Sequence, residues 1–282
     1  LNDVTTSLKP MVDRFINNGD YEDDMLIKSQ TAIELAKKGA VVVVVDVNRP
    51  SYTECPELLQ IAKNIVVLDH HRQTSEIIDN AVLSYVEPFA SSACEMVAEI
   101  LQYIQDGLKI KPVEADAMYA GMLIDTNNFM NKTGVRTFEA AAFLKRSGAD
   151  ITRVRKLLRD DMKSYRAKAE AANNSELFMD SYAISICHGD DVESPTVVGA
   201  QVANELLDID GIKASFVVTE YNGKLYISAR SIDEVNVQII MERLGGGGHM
   251  TIAGAQLQGN SPEEGVEIIQ QTLTDMIKEG AI

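Results

Sequence analysis

Positive charge, cysteine and long apolar runs are all scarce in this chain of 282 residues, and each scarcity excludes a class of protein. Lys and Arg number 26 against 42 Asp and Glu, a net charge of −16. Affinity for long DNA or RNA comes mainly from cationic side chains on phosphates, so a binder or processive nuclease of long nucleic acid is excluded. A small anionic ligand stays open if a few cations or metal ions are focused in one cleft. The three cysteines, Cys55, Cys94 and Cys187, are too few and too far apart for a disulfide framework or a zinc cluster. They read as small buried apolar residues in a reducing cytoplasm. No stretch approaches the roughly 18 apolar residues that span a bilayer, and no signal-peptide pattern opens the chain. What remains, at 45% apolar and 24% charged residues, is a soluble globular protein of one large or two modest domains. The chain begins with Leu1 rather than Met, and the expectation is a piece of a longer protein.

The first clear element is the β-branched run Val41-Val42-Val43-Val44-Val45, whose continuous apolar character predicts a strand buried on both faces of a parallel sheet. Residues 31–38 predict a helix before it, with Gly39 as its cap, and residues 56–63 a helix after it. Ile65-Val66-Val67-Leu68 predicts a second buried strand, which completes a βαβ unit. Helical spacing recurs over 91–103, 113–124 and 137–147, and a long charged helix with a solvated face is predicted over 151–179. From about residue 181 the character changes. A strand at 182–187, a helix at 197–207, a hairpin over 214–231 turning at Asn222-Gly223, a helix at 237–244 and a closing helix at 262–278 predict a second, smaller α/β domain. The expected organisation is a catalytic domain over 1–165, a linker over 166–181 and a substrate-binding domain over 182–282, with a cleft between the domains.

Asp46 and the pair Asp69-His70 stand at the C-terminal ends of the two predicted strands, the rim where open α/β sheets place ligands. Carboxylates and an imidazole there suit a hard divalent cation such as Mn²⁺ or Mg²⁺. Asp125, in the polar turn Asp125-Thr126-Asn127-Asn128, is a third candidate, although a lone Asp at such a place also serves as a cap. An adjacent Asp-His-His is harder to explain structurally. Two neighbouring imidazoles on an extended segment point to different environments, so one is expected to ligate and the other to face substrate. The run Gly245-Gly246-Gly247-Gly248-His249 between a helix and a strand allows close approach of N–H groups to an anion, against the alternative of a flexible loop. His188 reads as a strand-end surface residue.

Val67-Leu68-Asp69-His70-His71 resembles the signature of the DHH phosphoesterase superfamily, and Gly245-Gly246-Gly247-Gly248-His249 resembles the glycine-rich motif of its DHHA1 accessory domain. Asp46-Val47-Asn48-Arg49-Pro50, Glu87-Pro88-Phe89-Ala90-Ser91-Ser92-Ala93-Cys94-Glu95, the stretch 121–129 and Thr133-Gly134-Val135-Arg136-Thr137-Phe138 match as well. The wording is most similar to the catalytic module of the membrane-anchored cyclic di-AMP phosphodiesterases of Gram-positive bacteria.

The resemblance implies a parallel-sheet DHH domain plus a smaller α/β DHHA1 domain, and hydrolysis of cyclic di-AMP to linear pApA by two-metal activation of water. It implies two divalent cations, Mn²⁺ first among them, with Asp46 bridging them and His70 and Asp125 completing the coordination of the second ion. Asp69 would orient the histidines and His71 would contact the scissile phosphate. Arg230, Ser231, Gly246, Gly247, Gly248 and His249 would hold the second phosphate and nucleoside. It further implies a homodimer and a cytoplasmic catalytic module, with membrane anchoring through segments not in this sequence. One departure stands out. Family members carry an earlier His-x-x-Pro-Asp-x-Asp motif, and nothing like it precedes Asp46. The expectation is that this polypeptide binds its first metal weakly and turns over poorly, whereas a longer one is active. A nanoRNase or phosphatase for short oligonucleotides and a nonhydrolytic nucleotide sensor are the alternatives.

Overall fold

The computed structural model describes residues 4, 8–22, 24–189 and 192–282, which divide into two compact units, 1–159 and 160–282. Among the described residues no helix is long and apolar enough to cross a membrane.

In the first unit, α1 (Lys9–Ile16) and α2 (Ser29–Lys37) precede strand β1 (Val41–Val45), α3 (Pro56–Ile61), β2 (Asn64–Asp69) and β3 (Leu83–Val86). The three strands form a parallel sheet in the order β1-β2-β3, as the βαβ pattern predicts. Four helices follow: α4 (Ala93–Leu101), α5 (Pro112–Asp125), α6 (Val135–Arg146) and α7 (Ile151–Leu157). Val44, Ile65 and Val67 share one apolar cluster with Ala36 and Leu59 from α2 and α3. The valine run is not buried on both faces. Val41, Val43 and Val45 are 60%, 52% and 42% exposed, because among the described residues only the other face of β1, Val42 and Val44, packs with residues of α2 and α3. Register places Val43, Val66 and Leu83 in one row of the open face.

In the second unit, α8 (Met162–Asn173) leads into β4 (Glu176–Phe178), β5 (Tyr182–Cys187), α9 (Pro195–Leu206), β6 (Ala214–Tyr221), β7 (Lys224–Ser231), α10 (Val237–Arg243), β8 (Gly247–Gly248), β9 (Ile252–Gln258) and α11 (Pro262–Lys278). The six strands run β4-β5-β6-β7-β9-β8, antiparallel except for the β5–β6 pair. One face carries Val202, Ala203 and Leu206 of α9 against Val217, and the other carries Ile240, Ile269 and Leu273 of α10 and α11 against Phe216 and Val218. The β6–β7 hairpin turns at Asn222 and Gly223 with φ of 52° and 72°, the left-handed pair its Asn-Gly signal requires. The charged segment 151–179 is two helices and a strand rather than one helix. Asp161 caps α8 by accepting from the N–H groups of Lys163 and Ser164, and a residue used in this way starts a new helix. Residues 166–181 therefore include most of α8 and all of β4.

Two buried carboxylates tie the helices of the first unit. Glu95 in α4 accepts from the hydroxyls of Ser91 and Thr137 at 2.6 Å each, and its neighbour Glu99 holds Arg136 through two N–H groups at 2.6 and 2.7 Å. Asp116 in α5 is fully buried and accepts from Arg153 Nε and Arg14 Nη2, both at 2.8 Å, and from the Asp150 N–H at 2.7 Å. Burial alone would raise the Asp116 pKa, but Arg153, the Asp150 N–H and Arg14 together hold it below its ordinary 3.8. Asp116→Ala is expected to destabilise the first unit by about 3 kcal/mol, since it strands two guanidinium groups. Because the native pKa is depressed, that contribution is complete above the ordinary carboxylate pKa and fades as pH falls through the native one. Calorimetry of both proteins across acidic pH checks this, and a stability gap that does not shrink on acidification contradicts it.

Candidate metal and phosphate site

The parallel register brings the ends of β1 and β2 together. Asp46 follows β1 directly, its N–H donates to Leu68 O at 3.0 Å, and its backbone is left-handed at φ 67°. A non-glycine residue held in that region costs of order 1 kcal/mol, and such strain collects where side-chain placement matters. The result is that Asp46 Oδ1 lies 3.2 Å from His70 Nε2 and 3.9 Å from His71 Nδ1. Asp125, the last residue of α5, brings Oδ2 to 3.8 Å from the same His70 Nε2. The chain beyond it is wound into three successive left-handed residues, Asn127, Asn128 and Phe129, which the Thr126 hydroxyl ties by accepting the Phe129 N–H and donating to Met122 O. Asp46, His70 and His71 present ligand atoms within 4.8 Å of one another.

The two histidines do not point apart. β2 ends at Asp69, and the bend after it brings the rings together, centroids 4.4 Å apart and tilted at 56°, both reaching Asp46. Asp69 is fully buried, and its Oδ1 accepts from both the N–H and the Nδ1 of His71, the latter at 2.7 Å. This engages Nδ1 of a side chain that is still half-exposed and leaves Nε2 as its second ring nitrogen. Burial works against protonation of His70, but the Asp46 hydrogen bond and the charges of Asp125, Asp46 and Asp69 outweigh it and raise its pKa. Burial likewise raises the Asp125 pKa, with the Asp46 charge adding to it and His70 opposing. Asp69 Oδ2 and His70 Nδ1 are buried with no hydrogen-bond partner. Cys94 lies near the same carboxylates, and burial together with the charges of Asp125 and Asp46 pushes its thiol up to about 12. The ligand atoms that cluster among the described residues belong to Asp46, His70 and His71 and not to Cys94, so the donors are hard oxygen and imidazole nitrogen, a set that fits a divalent cation such as Mn²⁺ or Mg²⁺.

The second unit holds the other candidates around the β7 and β8 ends. Arg230 is partly buried, donates from Nε to Asn204 Oδ1 at 3.1 Å and from Nη1 to Ala229 O at 2.9 Å, and burial lowers its pKa, with no carboxylate opposing among the described residues. Asn204 is not legible in the sequence as part of this group, because it stands in the last turn of α9 with no motif around it. The Ser231 hydroxyl donates to Val235 O at 2.6 Å and so also closes the following loop. The glycine run is explained in large part by packing. Gly245 ends α10 with φ 76°, and the N–H groups of Gly245 and Gly246 donate to Glu242 O and Met241 O. A Cβ on Gly246 would meet Gly254 O at 2.1 Å, and one on Gly248 would meet Ala253 Cα at 2.5 Å. Gly247 alone of these three has open space around it. The His249 N–H donates to Ile252 O at 2.7 Å and closes the turn into β9.

Comparisons with known proteins agree with this architecture. The DHH family, N-terminal domain, matches residues 2–122 and the DHHA1 domain matches residues 180–279. The chain is 39% identical over 255 residues to the cyclic-di-AMP phosphodiesterase PdeA of Listeria monocytogenes and 42% identical over 256 residues to the cyclic-di-AMP phosphodiesterase GdpP of Geobacillus thermodenitrificans. These alignments take in 89% and 90% of this chain but 39% of each relative, so the chain spans about two fifths of the length of the curated relatives it matches. The crystal structure of an exopolyphosphatase-related protein from Bacteroides fragilis shares the fold at TM-score 0.79 and 20% identity, over 98% of this chain and 81% of that one. With a DHH domain in its first unit and a DHHA1 domain in its second, the chain belongs to the DHH/DHHA1 family.

Proposed function

We propose that the chain is a phosphodiesterase that opens cyclic di-AMP to linear pApA with two divalent cations, Mn²⁺ preferred. The observation that carries this is the convergence of Asp46, His70, His71 and Asp125 on one sheet rim. The relatives named cyclic-di-AMP phosphodiesterases, at 39% and 42% identity, support the choice of substrate. Homodimerisation, and anchoring through segments outside this sequence, belong to the same proposal.

Asp46, His70 and Asp125 would hold the cations, with Asp46 shared because its carboxylate alone reaches both histidines. These three side chains leave most of the five or six positions of each cation to water and substrate oxygens, in line with a weakly held first ion. When bound, the ions would polarise the phosphoryl oxygens, lower the pKa of water and offset charge on the leaving oxygen. Water then adds to phosphorus and one ester P–O bond breaks, which leaves a free hydroxyl on one nucleotide and a terminal phosphate on the other. His71, locked through Nδ1 by buried Asp69, would present Nε2 to the phosphate undergoing attack, as donor to an oxygen that gains charge. In the second unit, Arg230 has no carboxylate partner among the described residues and would take a phosphate of the substrate, with Ser231, Gly246, Gly247, Gly248 and His249 shaping the place of the nucleoside.

Incubated with Mn²⁺ and cyclic di-AMP, the protein is expected to yield pApA on chromatography. Conversion of pApA to AMP faster than ring opening would favour an oligonucleotide-degrading role instead, and binding without conversion a sensor. His71→Ala should keep its Mn²⁺ and lose roughly 100-fold or more in rate. Loss of metal in that variant would exchange the roles of His70 and His71. Gly247→Ala should fold normally and weaken substrate binding, whereas Gly246→Ala should lower the melting temperature; equal melting temperatures for the two would contradict the packing account of the glycine run.

A further inference from the structure

Phe89 is 93% exposed, and no other ring lies against it among the described residues. A single exposed apolar side chain is ordinary, but this one sits on a tightly fixed turn at the rim that carries the candidate site. On one side, the Glu87 N–H donates to Asp69 O at 2.9 Å, which sets the turn beside the Asp69-His70-His71 corner. On the other, Ala90, Ser91 and Ser92 are buried, and the Ser91 hydroxyl is held by Glu95. Within the turn, the Ala90 N–H donates to Glu87 O at 3.0 Å and the Phe89 N–H donates to Glu87 Oε1 at 3.2 Å. Both ends and the interior are hydrogen-bonded, yet the ring they support touches nothing. The fixed backbone turn means that only the two side-chain torsions of Phe89 need be ordered when a second flat ring binds beside the candidate site.

We propose that Phe89 is a stacking platform for a purine base of the dinucleotide substrate, and therefore a specificity-determining residue. The proposal rests on the cyclic dinucleotide reading of the site. In a nucleotide the base stands one sugar away from its phosphate, and Phe89 stands one short turn away from Asp69 and the histidines. Stacking depends on the π-face, so the ring would favour nucleotide esters over baseless phosphodiesters without itself telling adenine from guanine.

The sequence contains no tryptophan, so Phe89→Trp places a single reporter at this position, and the exposure of residue 89 means that folding does not depend on it. With Mg²⁺ present, cyclic di-AMP is expected to quench the Trp emission saturably, and ribose 5-phosphate is expected not to. Phe89→Ala should raise KM for cyclic di-AMP roughly 10-fold or more with kcat little changed, and Phe89→Tyr should restore it. Unquenched emission, or an unchanged KM in Phe89→Ala, while the wild-type protein hydrolyses cyclic di-AMP, overturns the proposal and leaves the functional reading intact. Emission that shifts with protein concentration and not with nucleotide also overturns it, and assigns the ring to contact with a second copy. Failure of the wild-type protein to act on cyclic di-AMP sinks the functional reading, and the stacking proposal falls with it.

Discussion

Everything at the sheet rim depends on one unfavourable arrangement, two carboxylates gathered around a buried imidazole. Asp46 and Asp125 both face His70 Nε2, at 3.2 and 3.8 Å, in a place where burial already raises the pKa of Asp125. Asp125 is also the last residue of α5, where the helix dipole disfavours a negative charge. The backbone bears further cost on both sides, with Asp46 left-handed after β1 and Asn127 to Phe129 left-handed after α5. Such local costs persist only where the surrounding fold imposes them. Here the parallel register of β1 and β2 imposes the first, and the Thr126 hydroxyl bonds impose the second. A divalent cation between these groups would turn repulsion into coordination, which gives the strain a chemical purpose.

The parts around this cluster divide into those that hold it and those that face outward. Asp69 and Glu95 are buried carboxylates whose oxygens are used inside the protein, one on His71 and the other on Ser91 and Thr137. The His71 side chain is half-exposed and the Phe89 side chain almost wholly so. The second unit has a similar division. Gly245, Gly246 and Gly248 serve the cap of α10 and the close approach to β9, while Gly247 has open space where a Cβ would stand and the Arg230 guanidinium is held only by the neutral oxygens of Asn204 and Ala229 among the described residues.

Much of this was legible in the sequence. The strands at 41–45 and 64–69, the Asn222-Gly223 turn and the closing helix from Pro262 are local, and hydrophobic period or turn chemistry specifies each of them. The convergence of Asp46 and His70 was readable because strand ends in a parallel sheet meet at one rim, whereas Asp125 arrives from the end of α5, whose placement the strand pattern does not give. Other features were not local. Exposure of Val41, Val43 and Val45 depends on α2 and α3 packing with only the other face of β1, which composition does not reveal. The shared orientation of His70 and His71 depends on a bend immediately after β2, and Asn204 meets Arg230 only because α9 packs across the sheet. The helix break at Asp161 was visible as a capping residue but was masked by the charged pattern on both sides.

The central claim is that the strained pair Asp46 and Asp125 with His70 is a cation site. Electron paramagnetic resonance of Mn²⁺ titrated into the protein tests it most directly, since the aqueous signal is lost as the ion binds. The account predicts loss of signal with the wild-type chain and recovery of the free-ion signal in both Asp46→Ala and Asp125→Ala. A wild-type protein that leaves the aqueous signal unchanged, or variants that bind as well as it does, would contradict the account.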